Sequence, residues 1–250
     1  MKVEYKKRIK KINYVVTNFL GERRFAPSLK EDVLFFIKQH IQFLNDNKIS
    51  SIKKVTFVLN KCNDSERDNK FIEYINNLEM DVEFELIVRE NKGFSYGAWQ
   101  EVVAKNTEFD YHFLIEDDYV PTSPKFIDYF MEQMKENTVY VCCIFERGHC
   151  AMSSGLLNNK IVKNETRLDA DKILNVTNFE TNDYIHGVDN QRNFMLNFIE
   201  LGYEINDLSE TNRWLFLNHI GNISQHGNLE GEVLLKPLDV NYGKELIEAL

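Results

Sequence analysis

Residues 111–121 read YHFLIEDDYVP, and in this stretch an apolar run meets three consecutive carboxylates. Residues 113–115, Phe-Leu-Ile, predict a buried strand that residues 116–118, Glu-Asp-Asp, follow directly. Ligands of open parallel sheets bind outside the carboxyl ends of the strands. Because adjacent carboxylates repel one another, a hard divalent cation with oxygen ligands, Mn²⁺ or Mg²⁺, would stabilise the cluster. A solvated acidic turn explains the same three residues, so the triplet alone leaves both interpretations open.

Strands and helices alternate on both sides of this stretch. Apolar runs predict strands over 12–17, 54–59, 84–88, 111–115 and 139–145. Helical spacing of apolar residues predicts helices over 29–44 and 97–104, around Phe71 and Ile75, and after Ser123-Pro124. Repeated strand–helix units of this length predict a mostly parallel sheet with helices on both faces.

The alternation breaks in the second half, where short polar and glycine-containing stretches lead to one clear helix. That helix is predicted over 190–201 and ends at Gly202, a residue typical of a helix C-terminus. The sequence shows neither an internal repeat nor a linker. We therefore predict an α/β fold in a single domain, 1–250, with a nucleotide-binding half at about 12–145 and an irregular half at about 146–250.

The composition argues against several functions. The formal net charge of −9 argues against nucleic acid as a partner, although six of the first eleven residues are basic. That basic run is interpreted as a solvated flank, with peripheral contact to an anionic membrane as the alternative. No apolar stretch suits a signal peptide or a transmembrane segment. The four cysteines show no CxxC pair and no zinc-ligand spacing, so we expect a reducing, cytoplasmic location.

A second motif lies at residues 90–99, ENKGFSYGAW, directly before the predicted third helix. Gly93 and Gly97 flank a Phe-Ser-Tyr triplet, and glycine allows a ligand to approach the backbone closely. The N-terminus of the following helix favours anionic or polar groups. The segment matches neither a phosphate-binding Walker loop nor a GxGxxG fingerprint. A tight turn between strand and helix is the alternative interpretation.

These two motifs resemble those of family-2-type GT-A glycosyltransferases. Residues 115–121, IEDDYVP, are similar to the acidic strand end of that family, an acidic triplet followed three residues later by proline. Residues 90–99 are similar to the family's Asn-x-Gly segment, which leads into a helix. The two motifs occur in the family's order, separated by one helix and one strand. The resemblance extends over about residues 12–226, and it implies a GT-A (Rossmann-like) fold.

The resemblance implies a role for each acidic residue. Asp118 would be the metal ligand that holds the donor diphosphate. Glu116 stands at the first position of the family's DxD pattern, where Asp is usual, and its longer side chain would reach the ribose or the ion. Asp117 would face the donor sugar. The glycine segment would line the pocket for the nucleotide and the sugar with Asn91, Gly93 and Ser95.

The ends of the first two strands carry further donor-binding candidates. GT-A enzymes place a base-binding loop after the first strand, and their second strand commonly ends in an Asp that this sequence lacks. The polar candidates at these two ends are Thr17, Asn18, Arg23, Arg24, Asn60 and Asp64. A plain surface position is the alternative for the two arginines, and a helix cap is the alternative for Asp64.

The second half resembles the acceptor side of the same family. Asp189 lies where the family has an acidic pair, of which one carboxylate acts as general base on the acceptor hydroxyl. A helix N-cap is the alternative role for Asp189, and Asp183 and Glu180 are the fallback bases. A late histidine in this family often completes the metal site or contacts the diphosphate, and His219 and His226 compete for that role.

The resemblance therefore predicts a metal-dependent glycosyltransferase that moves a sugar from a nucleotide-diphosphate-sugar donor to an acceptor hydroxyl. Mn²⁺ or Mg²⁺ would be the cofactor, and the family-2 likeness implies inversion of configuration. The acceptor would be a glycan, a glycolipid or a protein, as in polysaccharide biosynthesis. Two alternatives stay open: a nucleotidyltransferase acting on sugar phosphates, and a non-catalytic GT-A-like protein that binds sugar nucleotides.

Overall fold

The computed structural model describes residues 9–21, 32–143, 154–168, 174, 194–208 and 217–219. This part of the chain contains the strands β1 Ile12–Phe19, β2 Ile52–Asn60, β3 Glu83–Arg89, β4 Tyr111–Glu116, β5 Tyr119–Pro121, β6 Thr138–Cys143, β7 Ser154–Asn158, β8 Glu204–Leu208 and β9 Leu217–His219. It also contains the helices α1 Phe35–Asp46, α2 Ser65–Asn76, α3 Phe94–Lys105, α4 Phe126–Glu132, α5 Asn159–Asn164 and α6 Leu196–Glu200. None of these helices combines the length and the apolar composition that crossing a bilayer requires.

Seven strands form one mixed sheet in the order β3-β2-β1-β4-β7-β6-β8. β1 pairs in parallel with β2 and β4, and β2 pairs in parallel with β3. The carboxyl ends of these four strands therefore lie at one edge of the sheet. β7 runs antiparallel to β4 and β6, and β6 pairs in parallel with β8. The predicted α/β architecture, a mostly parallel sheet flanked by helices, is confirmed.

A second, two-stranded sheet lies next to the end of β4. Its strands β5 and β9 pair antiparallel, with Tyr119 opposite His219 and Pro121 opposite Leu217. The sequence pattern did not predict β5 or β9, because a strand of three residues is too short to show a periodicity. Their pairing brings a late segment of the chain back to the acidic strand end.

Helices cover both faces of the large sheet, each over its own apolar core. On one face α1, α2 and α4 pack over a core that contains Tyr14 and Phe113. These two rings stack with centroids 5.7 Å apart, and Phe126 of α4 meets Phe113 edge-on at 4.8 Å. On the other face α3 and α6 pack over a core that contains Trp99. Burial on both faces explains why β1 and β4 are mostly apolar rather than alternating in sequence.

The face beneath α3 carries three layers, from the amino to the carboxyl ends of the strands. The lower polar network is joined by hydrogen bonds and an ion pair, and it consists of Asn13, Lys54, Thr56 and Glu85. The apolar band packs beneath α3 and consists of Val15, Val58, Ile87 and Leu114. The upper polar row lies at the carboxyl ends and consists of Thr17, Asn60, Arg89 and Glu116.

The first helix begins later than its sequence pattern predicts. Within the described residues the helix predicted over 29–44 begins at Phe35, after a turn at residues 33–34. The Leu34 amide donates to Asp32 Oδ1 over 3.0 Å, which stabilises this turn. The local hydrogen bond of an aspartate thus replaces the first helical turn that the apolar spacing suggested.

The other helix ends agree with the capping rules in part. Asp64 caps α2 as predicted, since its side chain accepts from the amides of the second and third following residues. Of the helix predicted over 190–201, the described residues show the short α6, Leu196–Glu200. Gly202 follows this helix with a φ of 88°, in the left-handed region, as predicted for a glycine that ends a helix.

Two fully buried histidines make the fold sensitive to acid. Burial lowers the pKa of His40 to about 4 and the pKa of His112 to about 3. The unfolded chain binds these protons near pH 6.5, whereas the folded chain does not. The free energy of unfolding is therefore highest, as far as these two histidines determine it, above about pH 6.5, and it falls as the pH drops below that value.

His112→Phe is expected to remove one part of this pH dependence, because phenylalanine fills the same buried position without binding a proton. Between pH 7 and pH 5 the wild type should lose about 2 kcal/mol more free energy of unfolding than this variant. Urea denaturation at both pH values measures the difference. Tyr111→Phe changes a neighbouring ring that keeps its proton in this range and serves as the control. Equal losses in the wild type and His112→Phe would contradict the prediction.

Candidate active site

The acidic strand end places its three carboxylates in different environments. Glu116 and Asp118 are partly exposed, whereas Asp117 between them is 1% exposed. The Ser95 hydroxyl at the start of α3 donates to Glu116 Oε1 over 2.7 Å. Thr17 lies opposite Glu116 in the β1–β4 register. Two strand ends and one helix start, all predicted as parts of the site, therefore meet at Glu116.

Asp117 is tied to its surroundings through its backbone and its side chain. Its amide donates to the Thr17 carbonyl over 3.1 Å, which extends the β1–β4 ladder by one residue. Its Oδ2 accepts from the Phe19 amide at 3.4 Å, and its carbonyl oxygen lies 3.0 Å from His40 Nε2. These contacts anchor the loop between β4 and β5. The contact of Asp117 with a donor sugar stays a prediction.

The glycine segment adopts an uncommon backbone conformation where it enters α3. Gly93 is left-handed at φ 69°, and Phe94 after it also has a positive φ of 55°. A positive φ is disfavoured for phenylalanine, and such strained residues cluster at functional sites. Asn60 Nδ2 donates to the Phe94 carbonyl over 3.2 Å and so helps to hold this turn. The half-buried Asn91 lies just before it.

Arg89, the last residue of β3, supports the same turn from below. Its guanidinium donates to Asn60 Oδ1 over 2.5 Å, to the Lys92 carbonyl over 2.9 Å and to Glu101 Oε2 over 3.1 Å. Burial lowers the pKa of Arg89 from its usual value, and the hydrogen bond and charge of Glu101 oppose this shift. Both ends of the Asn60 amide are thus engaged in positioning the turn, and direct donor contact by Asn60 stays a prediction.

Two polar side chains at the end of β1 keep atoms without a hydrogen bond among the described residues. Thr17 is 3% exposed and Asn18 is 1% exposed. Asn18 Nδ2 donates to the carbonyls of Val16 and Val58 over 3.1 and 3.2 Å. Thr17 Oγ1 and Asn18 Oδ1 have no such partner in the described part of the chain. Because buried polar atoms are nearly always hydrogen-bonded, these two indicate room for a polar ligand or water.

The remaining candidates are placed only in part. Asp64 accepts from the amides of its own helix and is exposed, which fits the predicted alternative of a helix cap. The backbone of His219 pairs with Tyr119, the residue after Asp118. The base candidate Asp189 lies outside the described residues. So do five further candidates, namely Asp183, Glu180, His226, Arg23 and Arg24.

Two residues that contact the site were missed by the sequence reasoning, His40 and Arg89. Arg89 is a charge at the end of an apolar strand, directly before the glycine segment, and that position was a usable signal. His40 is a polar residue on the apolar stripe of α1, beside Ile37 and Ile41. Sequence alone does not separate such a histidine from one with a purely structural role.

Two cavities among the described residues lie away from this edge of the sheet. One of about 510 Å³ is lined by Leu34 and by residues of α2 and of the loop after it. The other, of about 420 Å³, lies at the amino ends of β2 and β3 and includes Ile52 and Glu83. Within the described ranges no group of three His, Cys, Asp or Glu side chains is arranged to hold a metal ion on its own.

No protein-family model matches the sequence, and no curated protein matches it. Among solved structures, a mannosyltransferase from Pyrobaculum calidifontis in complex with GDP-Man and Mn²⁺ matches at 12% identity and a TM-score of 0.47, over 82% of this chain and 56% of that chain. The glycosyltransferase GlyE of Streptococcus pneumoniae matches at 11% identity and 0.45, over 80% and 46%. A cytidylyltransferase from Leptospira borgpetersenii matches at 10% identity and 0.45, over 81% and 77%.

Two of these three structures are glycosyltransferases by name. This chain spans about half the length of each of the two, 56% and 46%. With TM-scores below 0.5, the likenesses transfer no activity, ligand or metal to this chain.

Gly97→Ala is expected to destabilise the protein even though alanine favours helices. A Cβ at this position would lie 2.1 Å from the Lys92 carbonyl oxygen, a backbone atom, so the turn into α3 would have to move. We expect the free energy of unfolding to fall by about 1–3 kcal/mol, measured by urea denaturation. The matched control Ala104→Gly makes the opposite exchange at an exposed position of α3 and should cost only about 1 kcal/mol. A Gly97→Ala variant at least as stable as the wild type would refute this close approach.

Proposed function

We propose that this protein is a metal-dependent glycosyltransferase that moves a sugar from a nucleotide-diphosphate-sugar donor to an acceptor hydroxyl, with inversion of configuration. One observation carries the proposal. The Ser95–Glu116 hydrogen bond of 2.7 Å joins the start of α3 to the acidic end of β4, beside the Thr17 hydroxyl, which has no hydrogen-bond partner among the described residues. Acidic, polar and helix N-terminal groups thus meet where parallel sheets bind their ligands.

The donor set of this edge fits a hard divalent cation. Asp118 and Glu116 present partly exposed carboxylates two residues apart, and carboxylate oxygens are the ligands that Mg²⁺ and Mn²⁺ prefer. Mg²⁺ sites commonly use one or two protein carboxylates and take the remaining ligands from substrate phosphates and water. Mn²⁺ or Mg²⁺ bound there would neutralise the negative charge of a departing diphosphate. His219 is proposed as a further ligand, because β9 pairs with the residue after Asp118.

The chain's own groups would bind and orient the donor. Thr17 Oγ1 and Asn18 Oδ1 lie buried at the end of β1. The Thr17 hydroxyl would donate to or accept from the nucleotide, and the Asn18 amide oxygen would accept from it. The start of α3 would bring Gly93 and Ser95 close to the phosphates and the sugar. The remaining donor contacts proposed from the resemblance are those of Asn60, Asn91 and Asp117.

The acceptor side is proposed from the resemblance. Asp189 would remove the proton from the acceptor hydroxyl as the hydroxyl oxygen attacks the sugar, in a single displacement without a covalent enzyme intermediate. The acceptor would be a glycan, a glycolipid or a protein, and nucleic acid is not proposed as a partner. We further propose a single domain over 1–250 that acts in the cytoplasm, with peripheral membrane contact where the acceptor is lipid-linked.

Asp118→Asn is expected to abolish metal-dependent donor binding, since it removes a charged ligand at nearly constant volume. In a thermal-shift panel of UDP-, GDP-, dTDP- and CMP-linked sugars with and without Mn²⁺, one donor at 100 times its dissociation constant adds about 2.7 kcal/mol and should raise the wild-type Tm by about 5–11 °C. Asp128→Asn changes an exposed carboxylate of α4 and should keep the full shift. A shift of equal size in Asp118→Asn would remove Asp118 from the metal site, and no shift with any donor would contradict the proposed function.

Asp189→Asn is expected to lower donor hydrolysis by about 10²–10⁴-fold while leaving the donor-induced thermal shift unchanged, because a positioned base acts on the attacking water, which replaces the acceptor hydroxyl in hydrolysis, and not on the donor. Release of the free nucleotide in the presence of Mn²⁺ measures the rate. Asp183→Asn and Glu180→Gln are the matched variants. A rate loss confined to one of these two would reassign the base, and donor binding without any hydrolysis in the wild type would indicate a non-catalytic binding protein.

A further inference from the structure

His40 reaches the acidic loop from α1 and is fully buried. Its Nε2 lies 3.0 Å from the carbonyl oxygen of Asp117, and its Nδ1 lies 2.9 Å from the hydroxyl of Tyr14. A carbonyl oxygen only accepts, so Nε2 carries the proton and donates it to Asp117. Nδ1 then has a free lone pair and accepts from the Tyr14 hydroxyl. The two contacts together select one tautomer of the neutral ring.

Tyr14 is a rigid anchor for this chain of hydrogen bonds. It lies in β1, is fully buried, and stacks on Phe113 of β4 with an interplanar angle of 1°. Burial raises the pKa of the Tyr14 hydroxyl well above its usual value, so this group keeps its proton and remains a donor at all working pH values. The chain therefore runs from the centre of the sheet, through α1, to the loop that follows β4.

This series of hydrogen bonds ends at the peptide group that joins Asp117 to Asp118. The Asp117 carbonyl and the Asp118 nitrogen belong to one planar unit, so fixing the carbonyl direction also fixes the position of the Asp118 backbone. The amide of Asp117, on the other side of its Cα, is held by the Thr17 carbonyl at 3.1 Å. With the carbonyl held as well, rotation of the 117–118 peptide is restricted.

We propose that His40 is a positioning residue for the metal-binding carboxylate: its Nε2–H, oriented by Tyr14, sets the plane of the 117–118 peptide and thereby aims the Asp118 side chain. This inference rests on the proposed function, because it assumes that Asp118 binds the metal. It assigns His40 no contact with donor, metal or acceptor. Groups that orient the ligands of a metal typically change its affinity by about 10–100-fold when they are removed.

Two substitutions separate positioning from plain packing. The amide nitrogen of Gln places a donor near the position of histidine Nε2, whereas the amide of Asn reaches only the position of Nδ1, where its oxygen accepts from the Tyr14 hydroxyl. His40→Gln therefore retains a donor for the Asp117 carbonyl, whereas His40→Asn retains only the hydrogen bond with the Tyr14 hydroxyl. Both variants replace a buried ring by a buried amide. If His40 had a purely structural role, the two substitutions would weaken Mn²⁺ binding to a similar extent.

Mn²⁺ affinity in the presence of the stabilising nucleotide sugar is the first readout, measured from free Mn²⁺ by electron paramagnetic resonance on folded samples. We expect His40→Asn to bind Mn²⁺ at least about tenfold more weakly than the wild type, and His40→Gln to stay within about threefold of it. Equal affinities in the two variants would overturn the inference, whether both match the wild type or both are weakened alike.

The backbone amide resonance of Asp118 in the metal-free protein is the second readout. It should move in His40→Asn and stay near its wild-type position in His40→Gln, because the peptide that His40 holds ends at this nitrogen. If the wild type binds no Mn²⁺ at all, the proposed function fails, and this resonance still decides whether His40 sets the 117–118 peptide. An unchanged resonance in both variants would overturn the positioning role.

Discussion

The in-register parallel pairing of β1 with β4 is the constraint on which the candidate site depends. It places Thr17 opposite Glu116, and the ladder continues for one residue through the Asp117 amide and the Thr17 carbonyl. Because side chains alternate between the faces of a sheet, a slip of one residue would turn Glu116 into the core around Phe113 and bring Ile115 to the carboxyl-end row. Burying the Glu116 carboxylate in that apolar core would be costly, so packing of the core fixes the chemistry at its edge.

Two helices hold the acidic strand end, each through a different kind of contact. α3 contacts it through a side chain, since Ser95 donates to Glu116, while α1 contacts it through the backbone, since His40 lies against the Asp117 carbonyl. The turn into α3 is itself held by Arg89 through the Asn60 amide. A carboxylate on a loop gains a defined direction in this way without being on a helix or a strand itself.

The sequence predicted those features that are local, and it missed those that depend on distant pairing. Apolar runs located β1 to β4, and the abrupt change after Ile115 located the acidic end, because both signals lie within a few consecutive residues. The antiparallel direction of β7 and the β5–β9 pairing depend on partners far along the chain, which no local pattern encodes. The contact of His40 with Asp117 spans 77 positions and was invisible for the same reason. The site roles of Asp189 and of the other candidates outside the described residues are supported by the family resemblance alone.

The apolar band beneath α3 closes the interior of the sheet between its two polar layers. Val15, Val58 and Leu114 are fully buried, and Trp99 covers them. This dry layer separates the upper polar row from the lower polar network, so neither water nor a relay of protons passes between them through the described interior. Among the described residues, a group bound at the carboxyl ends of the strands therefore has no route through the sheet interior toward their amino ends.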